Sequence, residues 1–340
     1  MIEIYGKSYS REDLRKQIGD ISQIAGTKMY ELREGKEKGV RMVDFWTGSG
    51  FYFSVSLDRG MDIPRAFYCG KSLCWHSPLG IVHPHFFEAK GYGWLRSFFG
   101  GLLTTCGLTY CGHPCRDQGE ELGLHGRISH IPAEKVSIEE KWEEDNYLLS
   151  IEGLVREAVV FGENVTLRRK ITTYLGESRL WIYDVVENEG FEETPHMILY
   201  HINGGFPVVQ EGSKLISPTV KIQPRDKEAE EGKEQYNKFT APVPGFKEKV
   251  YYHEMKADES GFVQCSLVNK EGFGFYVKYK KSQLPYFIEW KMMGEGTYTV
   301  GLEPANCLVE TREKMRRKGT LPFLRSREKR EYLLEIGVIK

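Results

Sequence analysis

The sequence predicts an all-β fold, one large antiparallel β-sandwich, and three observations carry that prediction. Strand-like runs follow one another closely, with Gly, Asn or Asp between them. No stretch alternates strands with amphipathic helices, which excludes a doubly wound parallel sheet. The 36 glycines suit a chain rich in turns and bulges.

Residues 1–40 read differently from the rest and are expected to form an extension packed on the core, with the sandwich spanning 41–340. Ser10, followed three residues later by Asp13, has the pattern of a reciprocal helix cap and predicts a short helix over 11–19. Residues 28–41 are charged and glycine-bearing, as in a hairpin or connector. Aromatic and β-branched residues then predict strands at 51–57, 136–142, 147–153, 165–174 and 180–188. Over 165–174 the alternation puts Val165, Leu167, Arg169 and Ile171 on one side. Later strands are expected at 261–268, 274–279, 286–291 and 332–338. The polar, proline-containing segment 223–245 reads as a long loop, because strands resume after it.

Lys plus Arg is 47 and Asp plus Glu is 48, so no global field favours nucleic acid or an anionic membrane. No apolar run reaches the roughly 18 residues of a membrane span, and the N-terminus lacks the apolar stretch of a signal peptide. Seven cysteines, odd in number and sparse, fit free thiols in the reducing cytoplasm. Oligomeric state is not legible.

Three segments set a His or Glu beside Gly or Pro at the end of an apolar run: Leu124-His125-Gly126, His201-Ile202-Asn203-Gly204, and Leu302-Glu303-Pro304. A strand ending in this way hands a side chain to the rim of a cleft. Two other clusters contain metal-ligand residue types: Cys106, Cys111, His113 and Cys115, and His76, His83, His85 and Glu88. Neither has the paired spacing of a zinc knuckle, so buried thiols and cleft-lining histidines are the expected readings, with no metal. Asp58-Arg59-Gly60-Met61-Asp62 reads either as a sugar-binding turn or as an Arg–Asp pair across a hairpin.

Taken in order, His125, His201 and Glu303 resemble the signature of the galactose mutarotase-like (aldose 1-epimerase) superfamily. Asp58–Ile63, Trp94-Leu95-Arg96 and Gly100-Gly101-Leu102 resemble a bacterial mutarotase-like family within it. The resemblance runs from about residue 40 to the end. It implies a β-sandwich enzyme that interconverts sugar anomers by acid–base catalysis, with a small sugar as partner and no cofactor. It assigns Glu303 as base, His201 as acid and His125 as a substrate-orienting group. Arg96 is implied as a sugar-binding residue, with Asn203, Trp290 and Lys291 as further candidates: Trp290 to stack on a sugar face, Lys291 to meet an anionic group. The residues after His201 and Glu303 depart from those of galactose and glucose mutarotases, so the resemblance does not extend to those two sugars. Two rival readings remain open: an epimerase acting next to a carbonyl with metal assistance, and a carbohydrate-binding protein. Acid and base are expected on opposite sides of the acetal, separated by about 5 Å, the width of a sugar ring.

Overall fold

The computed structural model describes all 340 residues, and the fold is an antiparallel β-sandwich built from three large sheets. An eight-stranded sheet runs in the order 134–143, 146–158, 164–174, 179–188, 329–339, 274–280, 262–268 and 214–216. A six-stranded sheet runs 219–224, 249–255, 286–293, 298–305, 199–204 and 104–106. A five-stranded sheet takes 26–31, 41–46, 51–56, 62–68 and 71–72. The C-terminal strand Lys329–Ile339 pairs between Arg179–Asn188 and Gly274–Lys280, so the end of the chain closes the middle of the largest sheet.

The alternation read in residues 165–174 holds. Val165, Leu167 and Ile171 join the main core, and Arg169 points inward with them, fully buried. A buried guanidinium is tolerated only when its charge and donors are met. Arg169 lies 3.0 Å from Asp62 and 2.7 Å from Asp184, and Asp184 also accepts a hydrogen bond from the Tyr200 hydroxyl at 2.7 Å. One polar cluster thereby ties together all three sheets. Asp62 in turn accepts from the backbone N–H and hydroxyl of Thr105, in the strand paired with 199–201. The Asp58–Asp62 turn thus follows neither expected reading. Asp58 pairs with Arg41, and Arg59 donates to the Ser129, Val82 and Ser97 carbonyls.

The N-terminal segment is partly built into the sandwich. The Ser10–Asp13 cap forms in both directions, but the helix covers only Arg11–Arg15. Leu14 is its sole buried residue, and Asp20 starts a separate 3₁₀ turn at Ile21–Gln23 by accepting from Ser22 N. Gly26–Glu31 then pairs with Arg41–Trp46, so the five-stranded sheet begins before residue 41. The segment expected as a loop at 223–245 starts in the strand Thr219–Pro224 and carries a short helix, Lys227–Glu231, capped by Asp226. No helix is long and apolar enough to cross a membrane.

Candidate active site

The six-stranded sheet has two unlike faces. Period-2 alternation sends Ile202, Leu302, Val300 and Phe287 into the main core. The opposite face presents His201, Glu303, Ile288, Trp290 and Val250 to a cavity of about 150 Å³. His201 and Glu303 are direct cross-strand neighbours: Ile202 pairs with Leu302 and Asn203 with Gly301. Their heads meet, His201 Nε2 lying 3.2 Å from Glu303 Oε1. The contact is close but poorly aligned. Glu303 Oε1 and His201 Nδ1 are both buried without a hydrogen-bond partner. Gly301 stands beside them for a steric reason: a Cβ there would come within 2.5 Å of Glu303 Oε1 and 3.1 Å of His201 Cε1.

His125 arrives from a loop. Its φ of 56° lies in the left-handed region, uncommon for a residue with a side chain. The backbone is held there on both sides: His125 N donates to the Gly112 carbonyl, and the His125 carbonyl accepts from Gly107 N. Gly126 must follow it, since a Cβ would fall 2.3 Å from the Tyr110 carbonyl. The His125 ring stands edge-on to His201 at 6.3 Å and packs against Trp94 at 4.9 Å. Trp94 stacks on Phe98 at 4.5 Å, and Trp290 packs against His201 at 5.4 Å. The three imidazole and carboxyl groups therefore sit at the foot of a cavity walled by Trp94, Phe98 and Trp290.

Burial sets the charges. It pushes the Glu303 carboxyl well above the usual carboxylate range, and the nearby Glu248 carboxylate pushes further, while Arg225 pulls back. Burial also lowers His201 to about 3. His125 falls to about 3 through burial and through the adjacent His201 and His113. Burial therefore favours the uncharged form of both groups, a carboxyl on Glu303 beside a neutral imidazole on His201.

His125, His201, Glu303 and Trp290 converge on this cavity. The expected gap between His201 and Glu303 does not exist; they touch. Arg96 does not reach the cavity. It ends the 3₁₀ turn Gly93–Arg96, which turns Trp94 inward, and its largely exposed side chain pairs with Glu88 at 3.4 Å. Lys291 points the other way because Trp290, one residue before it, faces the cavity. Its Nζ donates to the Gln235 and Lys238 carbonyls at 2.6 Å each, anchoring the 227–240 segment. Asn203 shares the cavity face of its strand but spends its amide N–H groups on the Gly100, Gly101 and His201 carbonyls. It braces the His201 strand and does not line the cavity.

Sequence reasoning missed Trp94, Phe98, Arg225 and Glu248. Trp94 belongs to the motif that pointed to Arg96, so the right segment was found and the wrong member chosen. Arg225 and Glu248 carried no signal, being joined only by the pairing of 219–224 with 249–255. The metal-ligand clusters do not close: no three His, Cys, Asp or Glu side chains converge as a metal site.

The architecture matches solved structures. A Klebsiella pneumoniae protein provisionally described as an aldose 1-epimerase shares 25% identity over 96% of this chain and 85% of its own, with a TM-score of 0.89. A galactose mutarotase-like protein of Clostridium acetobutylicum is 13% identical over 93% and 99%, TM-score 0.62. The galactose 1-epimerase of Lactobacillus acidophilus is 12% identical over 92% and 98%, TM-score 0.59. Fold and comparisons together define a galactose mutarotase-like β-sandwich protein. Residues 37–338 match the family described as Domain of unknown function (DUF4432), and the chain belongs to that family. No curated protein matches the sequence.

Proposed function

We propose that this protein is an aldose 1-epimerase-like enzyme that interconverts the anomers of a small sugar by acid–base catalysis. The observation that carries the reading is the buried contact of His201 with Glu303 at the floor of an aromatic-walled cavity.

Anomerisation moves two protons at one carbon. The anomeric hydroxyl gives one up, and the ring oxygen takes one. Both oxygens are bonded to the same carbon, closer together than a hydrogen bond is long. Two catalytic heads 3.2 Å apart therefore suit them better than groups on opposite sides of the ring. With the proton resting on Glu303, ring opening has Glu303 donate to the ring oxygen while His201 Nε2 accepts from the anomeric hydroxyl. The C1–C2 bond then turns, presenting the other carbonyl face. Closure runs the pair backwards, with Glu303 carboxylate taking the proton of the ring-closing hydroxyl and His201 imidazolium giving one to the carbonyl oxygen; the family resemblance implied the opposite placing, Glu303 as base on the anomeric hydroxyl and His201 as acid on the ring oxygen. Opening turns two neutral groups into a carboxylate and an imidazolium, which burial opposes, and the attraction between the two charges 3.2 Å apart offsets part of that cost. His125 donates a hydrogen bond that orients the sugar, and Trp290, Trp94 and Phe98 stack on its apolar faces.

The test is anomer exchange across a panel of aldoses, followed by NMR, with spontaneous mutarotation subtracted. Acceleration of at least one sugar is expected. A protein that binds sugars but accelerates none is a carbohydrate-binding protein and not an epimerase.

A further inference from the structure

Glu248 is placed unlike any other residue of the cavity. Its Oε1 accepts from Arg225 Nη2 at 2.8 Å, and its Oε2 accepts from the Trp290 indole N–H at 2.9 Å. Arg225 is meanwhile held at its Nε by Asp226, also at 2.8 Å, and Asp226 caps the helix Lys227–Glu231 with its other oxygen. Arg225 is the only guanidinium or ammonium group lining the cavity. A free arginine there would be the natural fork for a phosphate or a carboxylate. This one already answers to two carboxylates.

The remaining lining adds no positive charge. His125 and His201 are neutral, and burial together with the adjacent Arg225 lowers His113 as well. Arg225, Glu248 and Asp226 together sum to one negative charge at the rim. An anionic sugar entering would meet that charge and no unpaired cation. Arg96, the cation expected to serve the site, lies outside, as does Lys291.

We propose that the cavity takes uncharged aldoses and turns away sugar phosphates and uronic acids, with Glu248 as the specificity-determining residue. This rests on the sugar-binding reading of the cavity. Glu248 acts twice. It neutralises the one arginine that could receive an anion, and it fixes the indole on which a neutral sugar face stacks.

The experiment compares wild type with Glu248→Gln on glucose and galactose against glucuronate and glucose 6-phosphate. Anomer exchange gives rates, and saturation-transfer NMR gives binding. Wild type is expected to favour the neutral sugars by about tenfold or more, the scale of a like-charge contact. In Glu248→Gln one carboxylate of Arg225 is gone, and the neutral-to-anionic ratio should fall by about tenfold, chiefly through gain on the anions. Trp290→Phe removes the indole bond but no charge, so it should leave that ratio unchanged even where it lowers every rate. An unchanged ratio in Glu248→Gln, or a wild type that handles anions as well as neutral sugars, overturns the proposal. If no aldose is anomerised, the catalytic reading fails and binding decides. Preferential binding of neutral sugars then upholds the specificity assignment, whereas equal or preferential binding of anions, or no binding at all, overturns it.

Discussion

His201 and Glu303 meet across two neighbouring antiparallel strands, Nε2 to Oε1 at 3.2 Å, yet Glu303 Oε1 and His201 Nδ1 are both buried without a hydrogen-bond partner in the protein. A buried polar atom left without a hydrogen bond costs about 1–3 kcal/mol. Two in one place are a local conflict with stability, of the kind that marks a site shaped for a ligand. The pairing register creates the contact, and the missing side chain of Gly301 makes room for it.

Replacing Glu303 by Gln keeps shape and removes the proton carrier; replacing His201 by Asn does the same for the partner. Each variant should lose roughly 10²–10⁴-fold in anomer exchange rate, the usual contribution of a general acid or base. Sugar affinity, read by saturation-transfer NMR, should fall far less, because the aromatic walls remain. A double variant no worse than either single one would show that the two residues act as one unit; additive losses would count against the shared proton.

Gly301→Ala tests the geometry without touching either catalytic group. The new methyl would come within 2.5 Å of Glu303 Oε1, too close for contact, so the carboxyl must move. A displacement of about 1 Å is enough to cost about 10²-fold. Melting temperature should stay close to wild type, since Gly301 has no positive φ to protect. A fully active Gly301→Ala enzyme would remove the carboxyl from the mechanism.

The pH profile follows from the shared proton. The working state has Glu303 protonated and His201 neutral. Activity is lost upward when Glu303 finally ionises, well above the usual carboxylate range, and downward when His201 takes a second proton near its lowered value of about 3. The two limbs belong to the pair and not to either residue alone. Rates corrected for buffer catalysis should therefore be flat around the ordinary imidazole value of about 6.5. An inflection there that disappears in His201→Asn would mean that His201 titrates as an exposed histidine.

Much of the fold was legible because burial alternates with period 2 in long strands. Residues 165–174 gave their inward face correctly, even placing an arginine in it. The same rule, applied strictly, decides between Trp290 and Lys291, which cannot both face one cavity. Arg96 was out of reach of such reasoning. A 3₁₀ turn sets its direction, and no strand period runs through Gly93–Arg96. The Arg225–Glu248 bond, spanning 23 residues, depends on strand register and on where a short helix starts inside a segment that looked like a loop. The direct His201–Glu303 contact was likewise invisible, because spacing along the chain says nothing about which residues stand opposite one another across a sheet.

Arg96→Ala should accordingly change little. Its side chain is 73% exposed and its partner Glu88 is 59% exposed, so the ion pair is worth about 0–1 kcal/mol in stability. Anomer exchange should stay within about twofold of wild type, since surface substitutions away from a site rarely matter more. A loss as large as that of Glu303→Gln would place Arg96 on the sugar after all, and would require the 88–96 segment to close over the cavity.

Glu157 links pH to stability. It is buried on the strand Asn146–Ala158, accepting from Leu108 N at 2.8 Å and from the Thr109 hydroxyl at 2.6 Å, and so holds the turn that in turn holds His125. Burial raises its carboxyl to about 7, against the pull of those two hydrogen bonds. The folded state then binds a proton that the unfolded state, titrating near 4.3, has already released. Stability from this group is complete below about pH 4.3 and is lost as pH rises towards about 7, flattening above it. The span corresponds to roughly 4 kcal/mol at most. Asp62, raised to about 6 by burial, acts in the same direction and ends sooner. Buried His125 and His201, lowered to about 3, act the other way over the same range, so the Glu157 contribution is read as a difference between two proteins. Glu157→Gln cannot ionise, and the urea midpoint of wild type should fall relative to that of Glu157→Gln as pH rises from about 4.3 to about 7. An identical slope in both proteins would mean that Glu157 is already ionised in the fold at neutral pH.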